Sequence, residues 1–276
     1  SNMPEGPEIR LAADQIAKVI MQQEITRIEF TFDHLRKFEK TLSGLQVTAI
    51  ETRGKAMLTY FDDHWVIYNH NQLYGRWRIT KKGPRPQTNR QLRIAIETQK
   101  QAALLYSATD ISVLRKSELG SHPFLARIGP DILSQRPDID TILARLLSPA
   151  FSGRQLAALL LDQRFLAGLG TYLCAEILFV SRLHPKVKAS KCSPAMLREL
   201  ASNILSITQQ SYKTQGITNP PKLVKQIKAK GITDKESYRF AVYGRAGEAC
   251  YQCGQSIERN NLGGRPIFHC PSCQSL

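Results

Sequence analysis

The sequence predicts a multidomain α+β protein: an N-terminal β-sandwich with a flanking helix, then a helical domain, then a small C-terminal zinc module. Three observations carry this. Residues 24–106 fall into short runs that alternate apolar and polar side chains, residues 138–210 place apolar side chains at helical spacing, and the C-terminus holds two Cys-x2-Cys pairs. At 276 residues the chain is long for one core. The expected boundaries are 1–3 for a tag remnant and initiator methionine, 4–128 for the sandwich, 129–150 for a linker and first helix, 151–237 for the helical domain with a mobile basic loop, and 238–276 for the zinc module.

A formal net charge of +15 and a pI near 9.7 imply an anionic partner. Nucleic acid is expected before membrane, because the longest uninterrupted apolar run, Leu156–Leu161, is too short to span a bilayer. No secretory signal is visible, which places the protein in the bacterial-type cytosol or nucleoid with reduced thiols.

Taken in order, Ser1 and Asn2 read as a tag scar ahead of an initiator, Met3. Removal of Met3 would leave Pro4 and Glu5 as the first two residues. A free α-amine has a pKa of about 7.7 to 8.0, so an N-terminal proline is a usable nucleophile at neutral pH. It can attack a sugar C1′ or a masked aldehyde to give an iminium, while Glu5 supplies or takes the proton. With residues 1–3 retained, the Pro4 nitrogen is an amide and cannot attack. The plainer reading of the same residues is a proline-rich lead into a helix.

That helix runs from Pro7 through Ile20, with Ile9, Ala12, Ala13, Ile16, Val19 and Ile20 on one face. Its positive end would favour an ionised Glu5. Seven strands are then expected at 25–32, 45–52, 57–61, 65–69, 76–80, 92–98 and 102–106, which is sandwich spacing. Lys55 sits in the turn after the second strand, where a solvated lysine is the ordinary reading. The loop from His70 to Gly75 puts Gln72, Leu73 and Tyr74 side by side. Buried, they are core; exposed, they are wedges of the kind that part base steps. Residues 76–93 carry seven basic and no acidic side chains, suiting either a phosphate-touching hairpin or a solvated face.

After the linker around Gly129–Ser134 and Pro137, helices are expected at 138–147, 154–161, 172–183 and 194–210. Gly168, Gly170 and Thr171 precede the third of them. They form either an anion site built on backbone N–H groups or a simple turn capped by Thr171. The basic stretch 213–235 reads as a mobile loop and 238–243 as a strand. Cys250, Cys253, Cys270 and Cys273 form two knuckles separated by sixteen residues, the pattern of one tetrahedral, structural Zn2+. His269 reads as a strand residue, and Cys174 and Cys192 as free thiols.

In this order along the chain, Met3–Ile9, Thr52-Arg53-Gly54-Lys55, His70–Gly75, Phe165–Leu173 and the four-cysteine ending with Gly264-Arg265-Pro266 resemble the formamidopyrimidine-DNA glycosylase and endonuclease VIII family, on its endonuclease VIII side. The resemblance implies a helix-two-turn-helix domain, a β-hairpin zinc finger, and a base-excision-repair glycosylase with AP lyase activity on oxidised pyrimidines in duplex DNA. It implies that Pro4 is the nucleophile, Glu5 the proton-transfer group, Lys55 a contact to the phosphate and damaged nucleotide, and Glu8 a supporting carboxylate. Gln72, Leu73 and Tyr74 would fill the gap left by the flipped nucleotide; Arg265 and the Gly168–Thr171 turn would grip phosphates. Thr171 departs from the family's asparagine. A monomer is expected. Two rivals remain: a purine-lesion glycosylase, and a non-catalytic zinc-ribbon DNA-binding protein.

Overall fold

The computed structural model describes residues 4–276; the expected tag remnant and initiator, residues 1–3, lie outside the described residues. The chain divides into two compact units, Pro4 with Ile9–Ile128, and Glu5–Glu8 with Gly129–Leu276. The helix α1 (Gly6–Ile20) therefore has its first turn in the second unit and the rest in the first.

In the first unit Ala13, Ile16, Val19 and Ile20 of α1 are buried. Two antiparallel four-stranded sheets follow from β1 (Arg27–Phe30), α2 (Phe38–Leu42), β2 (Val47–Arg53), β3 (Ala56–Phe61), β4 (Trp65–His70), β5 (Arg76–Lys81), β6 (Leu92–Glu97), β7 (Gln101–Tyr106) and β8 (Asp110–Arg115). Their orders are β1-β6-β7-β5 and β2-β3-β4-β8. Ile28, Ile94, Ile96 and Leu105 from one sheet share a core with Ile50, Met57, Phe61 and Ile67 from the other, as a sandwich requires. Each such side chain contributes about 1.5–3 kcal/mol by leaving water.

Two differences from the sequence reading stand here. There are eight strands, not seven, because Ile111 and Val113 alternate with polar residues and β8 closes the second sheet on β4. The basic run 76–93 is not a hairpin, since β5 pairs with β7 rather than β6. Its Arg85 is committed to Glu29 and Glu97, both at 3.2 Å.

The second unit holds α3 (Ile139–Leu147), α4 (Leu156–Leu161), α5 (Thr171–Val180), α6 (Pro194–Thr214), α7 (Pro221–Ala229), α8 (Lys235–Tyr238) and the hairpin β9 (Glu258–Leu262) with β10 (Arg265–His269). Asp138 caps α3 by accepting from Thr141 N at 2.7 Å, and Ser193 caps α6 by accepting from Met196 N, with Pro194 opening the helix. The expected linker near 129–134 is instead packed: Ile132 and Leu133 are buried and Ile132 N donates to Ala167 O.

The basic stretch 213–235 is not a loop. Pro221 starts α7, and Val224 and Ile227 pack with Tyr238 while Lys222, Lys225 and Lys228 face out. The high lysine content concealed a short amphipathic pattern. The expected strand 238–243 is absent as well. Its backbone is held by a side chain: Ala241 N donates to Glu176 Oε1 at 2.6 Å, and Val242 N and Tyr243 N donate to Oε2 at 2.8 and 3.1 Å. Thr218 Oγ1 completes the set at 2.5 Å. Among the described residues no helix is long and apolar enough to cross a membrane.

Removing this acceptor strands three backbone donors in the interior. Glu176→Ala is expected to destabilise the protein by about 3 kcal/mol, read as a lowered urea midpoint by circular dichroism.

Candidate active site

Glu5 immediately precedes α1, and its backbone N–H donates to Glu8 Oε2 at 3.3 Å. That is half of a capping box, with the third helical residue reaching back over the helix start. Gly6 N donates to Gly168 O at 2.9 Å, which brings this first turn against the start of α5. The carboxyl of Glu5, 4% exposed, lies on that start: Oε2 accepts from Tyr172 N at 2.8 Å and Oε1 from Leu173 N at 3.3 Å.

The start of α5 thus offers backbone donors, but the group on its Tyr172 and Leu173 amides is the chain's own carboxyl. Gly170 is what admits it. A Cβ there would lie 2.4 Å from Glu5 Cδ. Thr171 does not cap the helix as expected; it is the first helical residue, and its hydroxyl lies 3.2 Å from the Tyr243 hydroxyl.

Burial pushes the Glu5 carboxyl up to about 8, with the charge of Glu8 adding to the effect and the amides of Tyr172, Leu173 and Gly170 opposing it. The sequence reading, that a helix dipole would hold Glu5 ionised, is overturned by desolvation. A carboxyl of this kind is a proton donor near neutrality.

Glu8 is held by a second set of contacts. Tyr172 Oη donates to Oε1 at 2.8 Å and approaches Oε2 at 3.1 Å; Ser211 Oγ sits 2.8 Å behind it. Arg239 Nη2 lies 3.9 Å from Glu8 Oε1. Burial raises the Glu8 carboxyl as well. Pro4, half-buried, is joined to Glu5 by the peptide whose N–H Glu8 accepts.

In the first unit, Gly54-Lys55 is a two-residue turn between the paired Arg53 and Ala56, and Lys55 is half-buried close enough to His70 to lower that imidazole's pKa, though burial lowers it more. His70 Nδ1 accepts from Gln72 N at 3.1 Å, and Tyr74 O accepts from Arg90 at 2.9 Å. The loop these bonds fix leaves Leu73 55% and Tyr74 70% exposed, so the core reading of both fails.

In the second unit Arg265 opens β10 after the Gly263-Gly264 turn, with Nη1 3.5 Å from Leu161 O. The four cysteine sulfurs lie within 4.8 Å of one another, with Cys250 to Cys273 at 3.9 Å and Cys253 to Cys270 at 3.4 Å. Sulfurs about 2.3 Å from a tetrahedral ion are about 3.8 Å apart, so the donor set fits one closed metal site.

Tyr172, Ser211, Arg239 and Tyr243 were not found from sequence. Tyr172 follows the Gly-Leu-Gly-Thr turn and was readable from it; the others are brought in by tertiary contacts and carry no local signal.

Gly170→Ala is expected to expel the Glu5 carboxyl from the α5 amides and lower the thermal midpoint by several degrees, consistent with about 1–3 kcal/mol for unpaired buried groups; an unchanged melting curve would contradict this geometry.

A family model described as the formamidopyrimidine-DNA glycosylase N-terminal domain matches residues 3–109, and one described as the H2TH domain of the same enzyme matches residues 128–220. Endonuclease 8 of Enterobacter sp. (strain 638) is 47% identical over 272 residues, covering 99% of this chain and 100% of the relative. That of Pectobacterium atrosepticum is 46% identical over 273 residues with the same coverage. Among solved structures, Lactococcus lactis formamidopyrimidine-DNA glycosylase non-covalently bound to DNA with an AP site superposes with a TM-score of 0.77 at 22% identity, over 99% of this chain and 100% of that one. The fold is the same. With full-length identity this high and both domain models in register, the chain belongs to the formamidopyrimidine-DNA glycosylase family of DNA glycosylase/AP lyase enzymes, alongside its endonuclease 8 members.

Proposed function

We propose that this chain excises oxidised pyrimidines from damaged duplex DNA through a Schiff base at Pro4, and then nicks the strand by β- and δ-elimination. The observation that carries the reading is the Glu5 carboxyl, buried on the α5 amides and directly following Pro4 in the chain. Supporting it are the relatives named endonuclease 8, and solved relatives whose partner is DNA with an abasic site.

In this reading the unprotonated Pro4 amine forms a bond to C1′ as the base departs with its bonding electrons and takes up the proton that the amine nitrogen gives off. Glu5 donates its proton to the ring oxygen as the sugar opens, leaving an iminium at C1′. The iminium acidifies C2′; loss of that proton expels the 3′ phosphate, and a second elimination expels the 5′ phosphate. Glu8 keeps the Pro4–Glu5 peptide in place. Lys55 contacts the phosphate and damaged nucleotide, while Gln72, Leu73 and Tyr74 occupy the gap in the duplex. Exposed Leu73 and Tyr74 suit that task, since unstacking costs a few kcal/mol that an apolar wedge offsets.

Arg265 and the turn containing Gly168, Gly170 and Thr171 hold phosphates. With the Tyr172 and Leu173 amides of α5 committed to Glu5, the contribution left to this turn is the Thr171 hydroxyl, which lies 3.2 Å from the Tyr243 hydroxyl. Zinc on Cys250, Cys253, Cys270 and Cys273 is structural, because four thiolates leave no open position for water. The protein acts as a monomer in the bacterial cytoplasm and nucleoid.

Borohydride should trap a covalent complex between protein that begins at Pro4 and a thymine-glycol duplex, faster than with 8-oxoguanine opposite cytosine. Pro4→Gly, or retention of residues 1–3, should abolish or greatly weaken it. No trapped species on any damaged duplex would overturn the function; a preference for 8-oxoguanine would overturn the substrate.

The pH profile offers a separate check. Protonated Glu5 persists up to about 8, so the excision rate should fall as pH rises through that value. Below it, the rate should rise with deprotonation of an amine whose pKa is about 7.7 to 8.0. In Glu5→Gln the falling limb should vanish and the rate should drop by about 100-fold or more.

A further inference from the structure

We propose that Arg239 is a positioning residue for this reaction: it holds Glu8 and, through Glu8, the peptide that joins the nucleophile to the acid. The proposal rests on the roles given above to Pro4 and Glu5.

Arg239 follows α8 and is 8% exposed. Every edge of its guanidinium has an assigned neighbour. Nε donates to Gly216 O at 2.8 Å, Nη1 donates to Glu236 Oε1 at 2.9 Å, and Nη2 faces Glu8 Oε1 at 3.9 Å. Its flat face lies over the rings of Phe240 and Tyr172, at 4.2 and 5.4 Å from their centroids. The backbone is fixed too: Arg239 O accepts from Thr218 N at 2.9 Å and Asn219 N at 3.2 Å. Gly216, at φ 108°, leaves the room required, since a Cβ there would stand 2.6 Å from Nη2.

A tether to Glu236 alone does not account for this burial. Glu236 is 63% exposed, and a surface arginine would reach it without losing water. The remaining nitrogen, Nη2, lies within ion-pair range of Glu8 at 3.9 Å. A planar, permanently charged fork held at its two other corners gives that nitrogen a fixed place, which a flexible ammonium would not have.

Glu8 is faced by the Glu5 N–H and carboxyl, by the Tyr172 hydroxyl with Ser211 behind it, and by Arg239. Burial favours its neutral form. A neutral Glu8 would turn one oxygen into a donor and could no longer accept from both Glu5 N–H and Tyr172 O–H on equal terms. The Arg239 charge, together with the Tyr172 and Glu5 hydrogen bonds, works against that change.

The test is a double-mutant cycle on single-turnover excision, with saturating enzyme that begins at Pro4 and a thymine-glycol duplex. Arg239→Gln and Glu8→Gln should each slow excision by about 10- to 100-fold. The double variant should be within about twofold of Glu8→Gln alone. Affinity for an uncleavable abasic-analogue duplex should be unchanged within about twofold in all of them.

Glu236→Gln, which loosens Arg239 from an exposed position and leaves no buried group unpaired, should slow excision by about two- to fivefold, and only while Glu8 is present. Arg239→Lys should recover less than half of the loss. Multiplicative effects in the cycle, an Arg239→Gln rate equal to the parent's, or a defect confined to DNA affinity would each overturn the role of Arg239. Should Arg239→Gln fail to fold, the Glu236→Gln arm decides alone. Failure of the parent protein to excise at all would overturn the function itself, and is distinguishable from every outcome above.

Discussion

The Glu5 carboxyl resting on the first amides of α5 is the constraint from which the rest of the site follows. A buried carboxyl needs donors, and the start of a helix supplies them in fixed directions with a favourable dipole. To use them, the first turn of α1 has to meet the first turn of α5. Gly6 N to Gly168 O and the missing Cβ of Gly170 make that approach possible. The same burial that holds Glu5 in place raises its pKa to about 8, so its position and its protonation have one cause.

The surplus of positive charge divides into two populations. Some cations are structural: Arg85 joins Glu29 to Glu97, and Arg145 donates at 2.8 Å to both Phe165 O and Arg164 O. Asp162, held between Arg154 and Arg164, is driven down to about 2 by those contacts despite partial burial. Others, such as Lys222 and Lys225 on α7, stand outward. Net charge alone gave the sign of the partner but not which cations would meet it, because pairing is decided by residues far apart in sequence, such as Glu29 with Arg85.

The features legible in the sequence were those whose chemistry is local. Two Cys-x2-Cys knuckles announced a closed metal site, and the four sulfurs do converge. A helix from Pro7 and most strands followed from periodicity. The strand β8 was overlooked although Ile111 and Val113 alternate, and α7 was hidden because lysines outnumber the two apolar residues that anchor it. The state of Glu5 could not be read at all. Two opposing influences, a helix dipole and desolvation, act on it, and only the depth of burial says which prevails.

Helix α5 explains why the Glu5–Glu8 turn and the four-cysteine cluster of the second unit form one piece. Tyr172 through Phe179 are all buried, Glu176 included, so the helix is not a surface element. Its first amides hold Glu5, its Tyr172 hydroxyl holds Glu8, and its Thr171 hydroxyl meets Tyr243. One turn on, Glu176 binds the backbone of Ala241, Val242 and Tyr243, while Ala175 and Phe179 pack in a cluster with Phe268, Cys250 and Cys270. A ten-residue helix thus ties the Glu5 carboxyl to the hairpin that carries Arg265.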